Sequence, residues 1–162
     1  MTTLAVPLSR LSPPEVEALL AAGTRRTFRV DEVVLAQGVT DPSLFIVTSG
    51  VLHVRRQAEG RQVLLGRIEP GGFFGEISLF DPGPTTAAVV AASNGELVQL
   101  SREQLQNFAA ANPAVVVNVL VGLLEGMAQR LRRTDERLVE AIFWGGGEGA
   151  IAPNPQDCRS VQ

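Results

Sequence analysis

The chain has 162 residues and a formal net charge of −3, and both values limit the classes of protein to which it can belong. The length predicts one domain with a core large enough to fold alone. The negative charge excludes a general electrostatic attraction to nucleic acid. The only cysteine is Cys158, which excludes a disulfide framework and a zinc or iron–sulfur site built from several cysteines.

Targeting signals are not evident in the sequence. The N-terminus lacks the charged and then apolar pattern of a secretory signal. The longest apolar run, residues 113–124, is too short and too interrupted to span a bilayer. We therefore expect a cytoplasmic protein with no membrane partner.

The first predicted element is a short helix in "LSPPEVEALLAAG". Ser12 suits the N-cap, Pro13 suits the first turn, and Gly23 suits the C-terminal stop. After this helix the apolar residues no longer follow helical spacing, and the sequence continues as short runs rich in β-forming residues.

The central part of the chain is predicted to be β-structure. Most of its runs end at glycine or another turn residue and recur at spacings of roughly 8–12 residues. The segment "QAEGRQ" is predicted to be a hairpin loop. This pattern indicates a mainly β fold with flanking helices, in which an antiparallel double-stranded β-helix (jelly roll) forms the body. The runs are "TFRVDEVVLAQG", "SLFIVTSG", "VLHVRRQAEG", "RQVLLGRIEPGG", "TTAAVVAASNG" and "ELVQLS".

Two helices and a polar tail complete the predicted organisation. Ser101 with Gln104 three residues later predicts a capped helix start in "SREQLQNFAAANP". A long helix is predicted over residues 112–144. The glycine-rich, proline-rich segment 145–162 is expected to be disordered. The predicted division is thus a β-roll with its N-terminal helix over 1–111, a dimerisation helix over 112–144 and a tail over 145–162.

The long helix carries an unbroken 3,4 alternation of mostly apolar residues, which is a heptad seam. A partner helix from a second copy would cover it and make a homodimer. Within residues 115–123 the same apolar residues are equally consistent with core. Thr134 is the polar member, a type of residue that often determines register. The seam comprises Val117, Leu120, Leu124, Met127, Leu131, Thr134, Leu138 and Ala141.

The stretch "GGFFGEISLFDPGPTTAAVV", residues 71–90, has the features of an anion-binding turn but contains no basic residue. Gly75 is predicted to end a turn and open a one-turn helix that runs through Phe80. The N–H groups at such a helix start lack intrahelical partners and can donate to an anion. Glu76 is a carboxylate beside this anion site, so we expect it to accept from a donor rather than contact a phosphate.

The order of these elements resembles the cyclic nucleotide-binding domain of the catabolite-activator (CRP/FNR) regulators and of cAMP-dependent kinase regulatory subunits. The resemblance covers a short helix, a β-roll with "FGEISLF" followed by "PTTAAV", and "NP" opening a long helix. It implies that "FGEISLF" (residues 74–80) and "PTTAAV" (residues 84–89) together form the phosphate-binding cassette.

The resemblance implies a role for Glu76 toward the ribose 2′-OH; the alternative is a helix-start charge stabilised by the helix dipole. Ser78 is either a further contact or a surface hydroxyl. Thr134 and Asp135 align with polar residues that contact the base, while Thr134 could equally set register. The implied ligand-binding residues are Phe74, Gly75, Glu76, Ile77, Ser78, Thr85, Thr86, Ala87, Thr134 and Asp135.

One departure from the family pattern concerns charge. The family places an arginine directly after the cassette proline or one residue later, and this chain has Thr85 and Thr86 there. A hydrogen bond to a charged group contributes about 1.5–3 kcal/mol, so its loss predicts weaker binding or a different ligand. Arg67, Arg130 or Arg133 could supply the missing positive charge from another part of the chain.

Other function classes find little support. His53 is the only histidine, too few for a cupin-like metal site, and no hydrolase or nucleotide-triphosphate motif appears. We expect no metal, no cofactor, no catalysis and no direct DNA binding, because no helix-turn-helix follows the long helix. The favoured hypothesis is a dimeric sensor of cAMP or another cyclic nucleotide that signals to an unknown protein partner. The alternative is a degenerate roll with no ligand or a different one, which acts as a dimerisation or interaction module.

Overall fold

The computed structural model describes residues 7–144. A 3-10 helix at Pro7–Arg10 and helix α1 at Pro13–Ala22 precede the strands, and α2 (Glu76–Phe80) lies between β6 and β7. Helices α3 (Arg102–Ala111) and α4 (Pro113–Trp144) follow β8. The predicted tail and Cys158 lie outside the described residues. The strands are β1 (Thr24–Phe28), β2 (Val33–Leu35), β3 (Ser43–Ser49), β4 (Leu52–Ala58), β5 (Arg61–Ile68), β6 (Phe73–Phe74), β7 (Ala88–Ala91) and β8 (Gly95–Ser101).

The strands form two four-stranded antiparallel sheets, with strand orders β1-β8-β3-β6 and β2-β7-β4-β5. The predicted β-roll followed by a long helix is confirmed. The chain divides into two compact units between Met127 and Ala128, so α4 contributes residues to both.

Strand β3 supplies side chains to two separate parts of the core. Phe45 and Val47 join the cluster inside the roll, whereas Leu44 and Ile46 join the cluster that the helices cover. All four are at most 1% exposed. Alternate residues of a strand point to opposite faces, so a continuous apolar run is what a strand covered on both faces requires.

The predicted run 27–38 is not one strand. Its residues are divided between β1, which pairs with β8, and β2, which pairs with β7 in the other sheet. Between them Asp31 adopts a left-handed conformation with φ 66°, and its N–H donates to Ala91 O at 2.9 Å. Aspartate tolerates this conformation better than most residues, so a turn without glycine separates the two strands.

Predicted helix caps account for the starts of α1 and α3. The Ser12 N–H donates to Glu15 Oε2 at 2.7 Å. At α3 the Ser101 hydroxyl accepts from Gln104 N at 3.1 Å, and the Ser101 N–H donates to Gln104 Oε1 at 2.9 Å. Both predicted starts are confirmed, and α3 has the reciprocal capping box.

Helix α4 has apolar residues on two different faces. Val116, Val119 and Leu123 pack in the core beneath the helices. The seam residues seven apart are exposed: Val117 by 58%, Leu124 by 65%, Leu131 by 63% and Leu138 by 58%. Core packing and the heptad seam therefore coexist on this helix. They use different residues except at Leu120, a seam residue that is partly buried against the core.

Among residues 7–144, α4 is the one helix whose length and composition would suffice to cross a membrane. It is longer than the apolar run seen in the sequence, because charged residues continue it to Trp144. Val116, Val119 and Leu123 are nevertheless buried in the core. Because core helices of soluble proteins also satisfy this test, it gives weak support to a membrane role.

An ion pair joins the N-terminal 3-10 helix to α4. Arg10 Nε donates to Glu125 Oε2 at 3.1 Å, and Arg10 Nη2 donates to Glu125 Oε1. The Arg10 guanidinium, through these hydrogen bonds and its charge, lowers the pKa of Glu125, and Glu125 in turn raises the pKa of Arg10. The pair thus links a residue near the start of the first compact unit to a residue near its end.

We predict that this pair makes stability depend on pH. Because the Glu125 pKa is lower in the folded state, its contribution is present above the unfolded pKa, about 4.3, and is lost as pH falls through the folded value. Glu125→Gln should lower the melting temperature at pH 7, and the difference from the parent should be smaller at about pH 3 in thermal unfolding followed by circular dichroism. Glu140→Gln is the control on the same helix, since Glu140 has no described ion pair. A Glu125→Gln difference that is equal at both pH values would contradict the prediction.

Candidate functional site

The site begins where strand β6 delivers the chain into a tight turn. Phe73 and Phe74 are buried and pair with Ile46 and Phe45 of β3. The Phe74 ring stacks on Phe45, with centroids 4.6 Å apart and an interplanar angle of 3°. This packing fixes where the turn that follows can lie.

Gly75 is required at this turn for two independent reasons. Its φ is 83°, in the left-handed region that favours glycine. A Cβ on it would lie 2.3 Å from Ser43 O and 2.8 Å from Phe45 Cδ2, a clash with backbone and with a buried ring. The predicted role of Gly75 in opening the next helix is confirmed, and Gly75 is the N-cap of α2.

Helix α2 encloses its two polar side chains together with Leu79, and it exposes its other two apolar side chains. Glu76 is 3% exposed and Ser78 is 5% exposed, while Ile77 and Phe80 are 52% and 51% exposed. A surface helix ordinarily shows the reverse pattern. The idea of Ser78 as a surface hydroxyl is therefore wrong, since it is enclosed with its Oγ 3.5 Å from Gly83 O. Glu76 is likewise not a solvated surface charge.

The C-terminal end of α2 is held by a residue that the sequence analysis missed. Arg102, the first residue of α3, donates from Nη2 to Leu79 O. The Asp81 N–H donates to Ile77 O at 2.7 Å. These bonds occupy carbonyls that a helix end leaves without partners. A cation in the first turn of a helix is disfavoured by the helix dipole. This unfavourable position of Arg102 was the one signal in the sequence that its side chain bonds to a group outside α3.

Thr85 and Thr86, which follow Pro84, have different surroundings. Thr85 Oγ1 donates to Ala36 O at 2.6 Å and accepts from the Val39 N–H at 3.2 Å. Thr86 is exposed, and Ala87 is half-buried. The two candidate positions for the family arginine are therefore not equivalent, because only Thr85 has described hydrogen bonds into the loop between β2 and β3.

The predicted compensating arginines and base contacts lie outside this segment. Arg67 of β5 is paired with Glu69, with Nε to Oε1 at 3.3 Å. Arg130 and Arg133 lie on α4 in the second compact unit, as do the predicted base contacts Thr134 and Asp135. The Thr134 hydroxyl donates to Arg130 O at 2.9 Å, one turn back along its own helix. The structure thus gathers the cassette residues in the first unit and leaves Thr134 and Asp135 in the second.

Histidine and acidic side chains form no metal-binding group in the part of the chain that is described. His53 Nδ1 lies 3.5 Å from Arg55 Nη2 on the same strand. Within residues 7–144, no group of three or more His, Cys, Asp or Glu side chains could hold a metal ion.

Comparison with known proteins gives matches over this same region. Residues 25–112 match the family described as Cyclic nucleotide-binding domain. A CRP-like cAMP-activated global transcriptional regulator of Mycobacterium tuberculosis is 35% identical over 129 residues, which are 76% of this chain and 56% of that protein. The chain thus spans just over half the length of this relative.

Two solved structures share the fold. The Catabolite Activator Protein of Thermus thermophilus has a TM-score of 0.71 and 33% identity over 84% of this chain and 63% of its own. The N-terminal domain of a transcriptional regulator from Streptomyces coelicolor A3(2) has a TM-score of 0.65 and 30% identity, over 80% of this chain and 91% of its own. Each alignment covers more of the chain than residues 25–112, so the similarity extends beyond the family match.

Proposed function

Since the chain belongs to the family of cyclic nucleotide-binding domains, we propose that it is a regulatory sensor of a cAMP-type cyclic nucleotide. In this proposal it is a cytoplasmic homodimer that signals to a protein partner and catalyses no reaction. Its net charge of −3 argues against direct binding to a polyanion such as DNA. The observation that carries the proposal is the enclosed Glu76 directly after the left-handed Gly75.

The chemistry of this arrangement suits a phosphate next to a sugar. Backbone N–H groups at the start of α2 can donate to an anion, and Gly75 leaves no side chain in the turn. Glu76 supplies a carboxylate that can accept from a hydroxyl. A ribose carries such a hydroxyl beside its cyclic phosphate, so one ligand satisfies both groups.

The ligand contact of Glu76 is testable by removing either partner of the bond. Glu76→Ala should weaken binding of cAMP by about one decade or more, the effect of one charge-assisted hydrogen bond. The same change should barely affect 2′-deoxy-cAMP, which cannot donate from that position. Calorimetric titration of both nucleotides against both proteins measures the difference.

Glu76→Gln is the matched control for this test, because it keeps the shape of the buried side chain and retains one acceptor oxygen. We expect it to bind cAMP with an affinity between those of the parent and Glu76→Ala. Equal losses for cAMP and the deoxy analogue would mean that Glu76 only shapes the turn. Circular dichroism must first show that each variant is folded, because a buried residue is being changed.

Homodimerisation is the second part of the proposal, and the exposed seam of α4 supports it. Val117, Leu124, Leu131 and Leu138 repeat every seven residues and are each more than half exposed. In a coiled coil such residues are buried against the same residues of a partner helix. Thr134 is then the polar position of the seam, and its hydroxyl retains acceptor capacity toward a base or a partner.

The alternative function is an interaction module that binds no cyclic nucleotide. The observation in its favour is that threonine, Thr85 or Thr86, occupies both candidate positions for the one family arginine. Calorimetry with cAMP, cGMP and a cyclic dinucleotide separates the two functions. Heat of binding from none of the three would favour the module.

A further inference from the structure

Thr85 is tied to the loop between β2 and β3 through both its backbone and its side chain. Its N–H donates to Val39 O at 2.8 Å, and its carbonyl accepts from the Gly38 N–H at 2.8 Å. Its hydroxyl donates to Ala36 O at 2.6 Å and accepts from the Val39 N–H at 3.2 Å. Four hydrogen bonds thus join one cassette residue to the loop 36–39.

The loop itself has a conformation that needs support. Gly38 has φ 84°, and a Cβ placed on it would meet nothing within 4 Å. The turn is therefore open to solvent on that side, with no packing around Gly38 to hold it. Since packing does not fix the loop there, hydrogen bonds do. Gln37 exchanges two with Gln57 of β4, at 2.9 and 3.3 Å, and the four to Thr85 hold the part of the loop around Gly38.

The hydroxyl of Thr85 has no proton left for an anion. A threonine hydroxyl has one O–H donor and two acceptor lone pairs. The donor is directed to Ala36 O, and one lone pair is taken by the Val39 N–H. What remains is an acceptor, and a phosphate oxygen offers no donor to it. Binding a phosphate through this hydroxyl would require breaking the bond to Ala36.

We propose that Thr85 is a positioning residue that fastens the loop 36–39 to the cassette, and that it does not itself bind the phosphate. The inference rests on the proposed function, because the site that it positions is the cyclic-nucleotide site. Of the two cassette threonines, Thr86 is the exposed one, and its hydroxyl has no described bond to the loop 36–39. One of the two candidate positions for the family arginine thus serves here to fix a loop.

The first test is hydrogen exchange of backbone amides in the full chain without ligand, followed by NMR. Thr85→Val has nearly the same shape but no hydroxyl. It should speed exchange of the Val39 amide about tenfold, the effect of one lost hydrogen bond and a looser loop. Thr85→Ser keeps the hydroxyl and should exchange like the parent. Thr86→Val is the neighbouring control and should leave the Val39 amide unchanged.

The second test is titration of the same four proteins with cAMP. If Thr85 positions the loop, Thr85→Val should weaken binding several-fold and Thr85→Ser should restore it. A loss of affinity in Thr85→Val with unchanged exchange at Val39 would mean that the hydroxyl contacts the ligand directly, and would overturn the proposal. Unchanged exchange and unchanged affinity would overturn it as well.

The two tests also separate this inference from the proposed function. If the parent binds none of the nucleotides tested, the sensor proposal fails. The exchange experiment still decides whether Thr85 holds the loop, because it contains no ligand. Faster exchange in Thr85→Val alone would then support the loop role, and unchanged exchange would exclude it.

Discussion

Two acidic substitutions on the exposed seam of α4, Leu131→Asp with Leu138→Asp, are expected to convert a dimer into a monomer. Both leucines are about 60% exposed in the single chain, so little stability within one chain depends on them. In a dimer four such leucines would be buried, each contributing about 1.5 kcal/mol or more. Losing the burial of these leucines, and placing four carboxylates close together, costs on the order of 6 kcal/mol or more of dimer stability. This corresponds to about four decades in the dissociation constant.

The matched control replaces two exposed apolar residues of the same helix that lie off the seam. Val139 and Phe143 are 51% and 78% exposed, and neither shares the register of Leu131 and Leu138. Val139→Asp with Phe143→Asp should remain a dimer in sedimentation equilibrium at micromolar concentration. The dimer proposal is wrong if the parent sediments as a monomer, or if the control pair dissociates as readily as the seam pair.

The second large effect is expected from restoring the missing cation. Thr86→Arg should tighten cAMP binding by about one to two decades, because a charge-assisted hydrogen bond to phosphate contributes about 1.5–3 kcal/mol. Thr86 is exposed, so a longer side chain meets little steric resistance there. Thr85→Arg should gain less, since it removes the hydroxyl bonded to Ala36 and Val39.

Thr86→Gln is the control for side-chain length without charge, and it should bind cAMP like the parent. Titrations at two salt concentrations add a second check, because screening should reduce the gain from arginine. No gain from either arginine variant, in folded protein, would sink the cAMP-sensor proposal and favour the interaction module. A full gain from Thr85→Arg would instead argue against the positioning role of Thr85.

Features that depend on neighbours along the chain were determined by the sequence itself. The capped start at Ser101, the glycine before α2 and the seven-residue spacing of Leu124, Leu131 and Leu138 were all predicted, and the structure contains them. Caps and helix periodicity are local properties, since their partners lie within a few residues. A left-handed backbone conformation is likewise a property of the glycine itself. The family resemblance rested on these same local motifs, in their order along the chain.

Features that depend on contacts between distant segments were decided only by the tertiary structure. The run 27–38 divides between two sheets because its halves pair with β8 and β7. Glu76 and Ser78 are enclosed because α2 turns its polar side chains inward. Thr85 is bonded to Ala36 from 49 residues away, and Arg102 to Leu79 from 23 residues away. Such partners are set by strand pairing and packing, which a single sequence does not encode in any local spacing.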